Sequence, residues 1–329
     1  MDLMKAIVHD RYGSPDVLEL QEIEKPEVAD DGVLVRVRAA SVNRLDWYGV
    51  TGTPYVARAI GGLLKPKEQG LGVDFAGTVE AVGKDVTHVR AGDEVYGGRT
   101  GAFAEYVSVR DAVVAKPANV TFEEAAAVPV AALTALQGFR DKAQLQPGQT
   151  VLVNGASGGV GTFAVQIAKA LGAEVTAVCS TRNVDQARSL GADHVVDYTR
   201  EDFTRSGRRY DVLFDVAGSR SWRACKRVLE PEGILAMAGA PKGNRVIAPL
   251  GHIAKVRLAS VPSSQKCAFF VANLNRGDLG VLRELIEAGK VTPVVERRYD
   301  LSEVADALAY MGEGHARGKI VITVSGEPA

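Results

Sequence analysis

The sequence lacks the marks of several protein classes. It has three cysteines in 329 residues, Cys179, Cys225 and Cys267. These are too few and too scattered for a disulfide framework or a four-cysteine zinc site, so a reducing compartment, the cytoplasm, is expected. No charge of one sign is in excess. Lys plus Arg number 39 and Asp plus Glu 40, a formal net charge of -1. A nucleic-acid partner would favour a basic surplus and is not expected. No apolar run reaches the ~18 residues of a bilayer span. The longest candidate, 125–136, is Ala-rich and broken by Pro129. Asp2, Lys5, His9, Asp10 and Arg11 leave no apolar signal-peptide core near the N-terminus. The histidines are His9, His88, His194, His252 and His315, none at helical spacing from another His or Cys. No metal-ligand pattern is visible.

What is present is ordinary globular material. Hydrophobic residues make up 46% and charged residues 24%, enough apolar content for two cores. The first third reads as strands at 4–8, 33–40, 75–82, 93–96 and 103–109, separated by Gly- and Asp-containing turns. Strands without intervening helices suggest a barrel-like or sandwich-like unit. The stretch 50–72, rich in Gly, Pro and Lys, reads as a mobile loop beside a pocket. After about Thr121 strands and helices alternate. A helix is expected over 123–138, and strands at 150–153, 174–179, 194–196, 212–216 and 233–238. Helices fall between them at 160–171, 184–190 and 221–229. This pattern implies right-handed crossovers and a parallel sheet. Helices at 279–288 and 301–311 and a last strand at 319–324 follow, the strand expected to return to the N-terminal unit.

Between the strand at 150–153 and the helix at 160–171 lies Asn154-Gly155-Ala156-Ser157-Gly158-Gly159-Val160-Gly161. Ala156, Gly158 and Gly161 occupy the slots of a G-x-G-x-x-G fingerprint, with Ala in the first. Amides at a helix start attract a pyrophosphate, aided by the local dipole. Gly158 would admit the phosphates and Gly161 close helix–strand packing. Ser157, Gly158, Gly159 and Val160 are therefore the phosphate-binding candidates. The segment after the next strand, Cys179-Ser180-Thr181-Arg182-Asn183, carries no acid for a ribose 2′-hydroxyl. Ser180 and Arg182 instead suit a 2′-phosphate, which selects NADPH. A solvated arginine is the competing reading of Arg182. Tyr198 is placed at the adenosine end, or is simply half-buried. Gly239, and with it Ala217, falls at the carboxyl edge of the sheet, where such sheets bind ligands.

Six stretches carry a resemblance. They are Ala40-Ser41-Val42-Asn43-Arg44-Leu45-Asp46, Gly72-Val73-Asp74-Phe75-Ala76-Gly77-Thr78-Val79, Ala91-Gly92-Asp93-Glu94-Val95-Tyr96-Gly97, the loop 154–161, Leu190-Gly191-Ala192-Asp193 and Gly318-Lys319-Ile320-Val321. The chain resembles the medium-chain dehydrogenase/reductase superfamily, in its zinc-independent, quinone oxidoreductase-like branch. The resemblance implies an α/β fold. A Rossmann doubly wound sheet would sit within a GroES-like β-rich domain that is split in sequence, with the active site between the two. The implied boundaries are 1–122, 123–270 and 271–329. Zinc members of the superfamily keep a Cys in the first stretch and Gly-His-Glu in the second. Here Asn43 stands at the Cys position and Gly72-Val73-Asp74 replaces Gly-His-Glu.

Without zinc no strong Lewis acid makes an alkoxide, so alcohol oxidation is not expected. Hydride transfer from NADPH to a quinone or an α,β-unsaturated carbonyl is, because conjugation spreads the developing charge onto oxygen. Asn43 is the first candidate to orient the nicotinamide or the acceptor, or else holds a loop turn. Tyr48 is a candidate proton donor or ring-stacking partner, with an ordinary core or surface tyrosine as the stronger competing reading, and Asp46 is a catalytic candidate that better suits capping or bracing the loop. By resemblance Thr134, Phe269 and Phe270 join the coenzyme-binding set, and so do Arg317 and Lys319, which would either reach a phosphate or remain solvated. An enoyl-thioester reductase and a non-catalytic NADPH-binding sensor or scaffold are the alternatives. A small-molecule acceptor is the expected partner. A homodimer, paired through a sheet edge near 267–272, is expected as well.

Overall fold

The computed structural model describes residues 2–239, 250–314 and 316–324; His315 lies outside the described residues. The chain opens with strands β1 (Leu3–Val8), β2 (Glu19–Glu24) and β3 (Val33–Ser41). Helices α1 (Arg44–Thr51) and α2 (Arg58–Gly61) precede β4 (Asp74–Val82), β5 (Glu94–Gly98), β6 (Tyr106–Val109) and β7 (Val113–Ala115). Helices α3 (Phe122–Ala126) and α4 (Pro129–Gln137) lead into β8 (Thr150–Asn154), α5 (Gly159–Ala170), β9 (Glu174–Cys179), α6 (Val184–Ser189) and β10 (His194–Asp197). Then come β11 (Tyr210–Asp215), α7 (Trp222–Lys226), β12 (Leu229–Met237), α8 (Leu250–Ser260) and β13 (Lys266–Phe269). The chain closes with α9 (Arg276–Glu287), β14 (Val295–Asp300), α10 (Val304–Glu313) and β15 (Lys319–Thr323).

Two units result. One comprises Met1–Ala131, Asn273–Ala288 and Pro293–Ala329, the other Ala132–Ala272 and Gly289–Thr292. Helix α3 packs on β3 and β4, which carries the first unit past residue 122. Its main sheet runs β14-β15-β3-β4-β5-β7, with β6 also on β3. The last strand does return to the N-terminal unit. β15 pairs antiparallel with β3, placing Val321 opposite Ser41. Alternation along β3 sends Val33, Val35 and Val37 inward with Phe75, Val95, Phe103, Ile320 and Ile322. Tyr96 is fully buried, and its hydroxyl donates to the Leu279 carbonyl at 2.7 Å, which ties α9 to β5.

The second unit is a six-stranded parallel sheet in the order β10-β9-β8-β11-β12-β13. This is the doubly wound arrangement expected from the alternating pattern. Strand order reverses between β8 and β11, the place where such sheets take ligands at their carboxyl ends. Leu152, Leu213, Leu235, Met237 and Trp222 form its core. β13 is an edge strand, with α8 packed against it.

Two expectations need correction. The single helix over 123–138 is two, α3 and α4. Pro129 has no N–H to donate and disfavours helical geometry at the residue before it, so it starts a new helix instead of continuing one. The stretch 50–72 is not simply a loop. It holds the end of α1 and all of α2, and it is pinned. The Arg58 guanidinium lies 4.3 Å from the centroid of Tyr12 and 4.5 Å from that of Tyr55. It also donates to the Gly52 carbonyl at 2.9 Å, and the Tyr12 hydroxyl donates to the Gly62 carbonyl at 2.8 Å.

Candidate functional site

The carboxyl edge of the parallel sheet collects most of the candidates in the second unit. Ser157, Gly158, Gly159 and Val160 follow β8, Ser180 and Arg182 follow β9, and Tyr198 follows β10. Ala217 follows β11, Gly239 follows β12, and Phe269 and Phe270 end and follow β13. Gly158 is the N-cap of α5, and the first-turn amides of that helix have no acceptor further back in it. A Cβ added at Gly158 would meet only the Gly155 carbonyl oxygen, at 3.8 Å. A Cβ at Gly161 would lie 2.1 Å from that same oxygen and 2.7 Å from Ala156 backbone. The loop is thus closed on its inner side and open on its outer side, the geometry a pyrophosphate requires. Gly239 differs. A Cβ there would lie 1.9 Å from the Val216 carbonyl oxygen, so this glycine serves the close approach of two strand ends.

Below the loop sits a buried carboxyl that the sequence reading missed. Asp215 Oδ1 accepts from Asn154 Nδ2 and from the Gly218 amide, both at 2.8 Å. Burial pushes its pKa up, against the pull of these donors. It locks the ends of β8 and β11 at the switch point. Near Ser180, the sequence shows no acid within 179–183, but the fold brings one from the neighbouring strand. Asp197 lies opposite Cys179. Its carboxylate accepts from the Thr181 hydroxyl at 2.5 Å and from the Thr199 hydroxyl at 2.7 Å, and Arg200 lies 3.4 Å away. Those hydroxyls hold its pKa below the usual carboxylate range. Arg182 and Tyr198 are exposed here.

The first unit holds a different constellation. Strands β15, β3 and β4 are neighbours, and Ser41 pairs with Asp74. Asp74 is fully buried and its Oδ2 accepts from Ser41 Oγ at 2.9 Å and Asn43 Nδ2 at 2.8 Å. Its Oδ1 accepts from the Val130 amide in the first turn of α4 at 3.0 Å. Lys319 is 3% exposed. Its ammonium donates to Asn43 Oδ1 at 2.6 Å, to the Val42 carbonyl at 3.1 Å and to Asp74 Oδ2 at 3.3 Å. One sequence expectation changes here. Lys319 faces inward to Asn43 and Asp74 and does not reach outward to a phosphate. The Asn43 carboxamide is engaged by Lys319, Asp74 and, at 3.4 Å, the Ser41 carbonyl. Neither Ser41 nor Asp74 was singled out from sequence. The replacement of Gly-His-Glu by Gly72-Val73-Asp74 was the available signal.

Asp46 completes this cluster. It is the third residue of α1 and its Oδ2 accepts from the Asn43 amide at 2.7 Å. It braces the start of the helix, the alternative weighed for it. Burial, reinforced by the nearby Asp74, pushes its pKa up to about 7 against the pull of the Asn43 amide and Lys319. In the unfolded chain this carboxyl titrates near its ordinary value of 3.8. Between those two values the folded state keeps a proton that the unfolded state has lost. The stabilisation is full below the lower value and is lost as pH rises through about 7, at up to ~1.4 kcal/mol per pH unit. Asp46→Asn keeps the acceptor and removes the titration. Its melting temperature relative to wild type should rise between pH 5 and pH 8. A constant difference across that range would refute the assignment.

The remaining candidates divide. Thr134 is buried within α4 and Phe270 is buried against Gly138, where an added Cβ would lie 2.8 Å from its ring. Phe270 is therefore core, while Phe269 is half-buried at the sheet edge. Tyr48 is half-buried on α1, with Arg44 5.7 Å from its ring centroid. Arg317 is exposed and its amide donates to Glu296 at 2.6 Å. Among the described residues no group of three His, Cys, Asp or Glu side chains converges on a possible metal position. No described helix is long and apolar enough to cross a membrane.

A GroES-like unit that carries a buried polar cluster, in one chain with a doubly wound sheet that carries a phosphate loop, defines the dehydrogenase/reductase class. The alcohol dehydrogenase GroES-like domain family matches residues 29–119, and the zinc-binding dehydrogenase family matches residues 190–322. The chain belongs to the medium-chain dehydrogenase/reductase superfamily, in its quinone oxidoreductase-like branch. It is similar to the 2-methylene-furan-3-one reductase of Solanum lycopersicum, 34% identical over 97% of this chain and 79% of that protein. It is 35% identical to the chloroplastic NADPH-dependent alkenal/one oxidoreductase of Arabidopsis thaliana, over the same shares. Among solved structures, the quinone oxidoreductase from Coxiella burnetii superposes with a TM-score of 0.85 at 30% identity, over 98% of this chain and 100% of that one.

Proposed function

We propose that this chain is an NADPH-dependent oxidoreductase that reduces a quinone or an α,β-unsaturated carbonyl. One observation carries the coenzyme part: the loop 154–161, closed by Gly161 and open over Gly158 at the start of α5. Its first-turn amides would hold the pyrophosphate. Ser180 would donate to a 2′-phosphate and Arg182 would pair with it. Asp197 stays ionised beside this position, and its ion pair with Arg200 offsets part of the repulsion it would exert on a 2′-phosphate. The bound coenzyme supplies a hydride. The chain supplies position and exclusion of water. Tyr48, whose hydroxyl has no hydrogen-bond partner among the described residues, is the proposed proton donor. The relatives named above, which act on alkenals, enones and quinones by their names, support the acceptor class.

The test is coenzyme oxidation against quinones and enones, with NADPH and NADH side by side. NADPH should be preferred. Arg182→Ala should weaken NADPH by roughly 10- to 100-fold, the worth of a charge-assisted contact, and leave NADH almost unchanged. An equal loss for both coenzymes would remove Arg182 from the site. No turnover with any acceptor, despite NADPH binding, would return the protein to the sensor or scaffold class.

A further inference from the structure

The cluster around Lys319 is not used by the proposed reaction, yet it is the most heavily buried polar assembly of the first unit. Ser41 and Asp74 are fully buried, Lys319 and Asp46 are each 3% exposed, and Asn43 is 8% exposed. Its composition is unlike a zinc site. Zinc favours thiolate and imidazole. The groups that converge here are a carboxamide oxygen, a carboxylate and a backbone carbonyl. Val73, at the position of the family's histidine, offers no donor. A metal bound to Asp74 would also face an ammonium already 3.3 Å from that carboxylate, a repulsion that low-dielectric surroundings magnify.

We propose that the Lys319 ammonium is the resident cation of this site, a tethered charge that occupies the ligand positions a metal uses in zinc members and excludes the metal from them. The hydrogen bonds give it work to do. An ammonium only donates and a carboxylate only accepts. Between Lys319 and Asp74 the Asn43 carboxamide therefore has one orientation, Oδ1 to the lysine and Nδ2 to the aspartate. Asp74 keeps its other oxygen for the Val130 amide. One cation thus fixes four segments: β15, the turn after β3, β4 and the first turn of α4. Lys319 is a positioning residue, acting through Asn43 and Asp74.

The test needs no turnover, so it stands apart from the reductase reading. Wild-type protein is exposed to zinc or cobalt(II), gel-filtered and assayed for metal. Trace metal and no tetrahedral cobalt absorption are expected. Stoichiometric metal that is lost in Asp74→Asn would overturn the proposal. In the second arm Lys319→Ala is melted alone, then with propylammonium chloride, sodium chloride or propanol. A loss of about 10 °C is expected, as for one partner removed from a buried ion pair. Propylammonium should restore it saturably, and the two controls should not. Melting unchanged from wild type, or equal recovery with the controls, would overturn the proposal. If Lys319→Ala does not fold, Lys319→Arg and Lys319→Met decide. A stable arginine variant beside an unstable methionine variant supports a required cation, and equal stability refutes it.

Discussion

Gly161→Ala should cripple the second unit, while Gly158→Ala should leave it folded. The added methyl at 161 meets backbone, not a movable side chain, with the Gly155 oxygen at 2.1 Å and Ala156 carbons at 2.7 Å. Relief requires the start of α5 to move off β8, at a cost of about 3 kcal/mol or more. The phosphate loop would move with it, so coenzyme affinity should fall by two orders of magnitude or more by the same energy. At Gly158 the nearest atom is 3.8 Å away, and the methyl would enter only the space left for a ligand. That variant should melt near wild type and still bind the coenzyme poorly. Calorimetric titration and thermal melting of the two variants side by side separate the roles. Equal melting temperatures for both would show that the close contact at 161 carries no energy.

Asp74→Ala is expected to destabilise the first unit strongly. It strands a buried ammonium and takes the acceptor from Ser41, Asn43 and the Val130 amide. Breaking one side of a buried ion pair costs about 3–5 kcal/mol, which corresponds to a melting loss on the order of 10 °C. Combining Asp74→Asn with Lys319→Met removes both charges, so the pair should lose less than the sum of the single variants. Denaturant melts of the four proteins measure that coupling. Additive losses would mean that the two side chains are energetically independent, contrary to the geometry.

Sequence alone exposed the second unit better than the first, for physical reasons. A parallel strand is covered on both faces, so β8, β9, β11 and the second half of β12 appear as largely apolar runs. The strands β2 and β14, Glu19–Glu24 and Val295–Asp300, are edge strands, the first almost wholly exposed and the second half-exposed, with mostly polar sequences, and periodicity hides them. Helix α1 was hidden in a motif read for its chemistry, although Asn43 and Asp46 sit at the spacing of a helix cap. The phosphate loop was legible because its residues are contiguous. The Asp74–Lys319 pair was not, because 245 positions separate its members and only the return of β15 to β3 brings them together. Asp197 escaped for the same reason: the carboxylate beside Thr181 arrives from the adjoining strand.

The late arrival of β15 also sets a schedule for biosynthesis. Residues 132–272 leave the ribosome as an uninterrupted block and need only 289–292 to complete their unit. The other unit must wait. The flank of β3 that β15 covers stays open while residues 42 to 319 are made, roughly 15–55 s at ordinary elongation rates. For that interval the backbone of residues 39–41 is left unpaired on that side and open to a neighbouring polypeptide. A chaperone that shields this flank during translation would guard the chain over that interval.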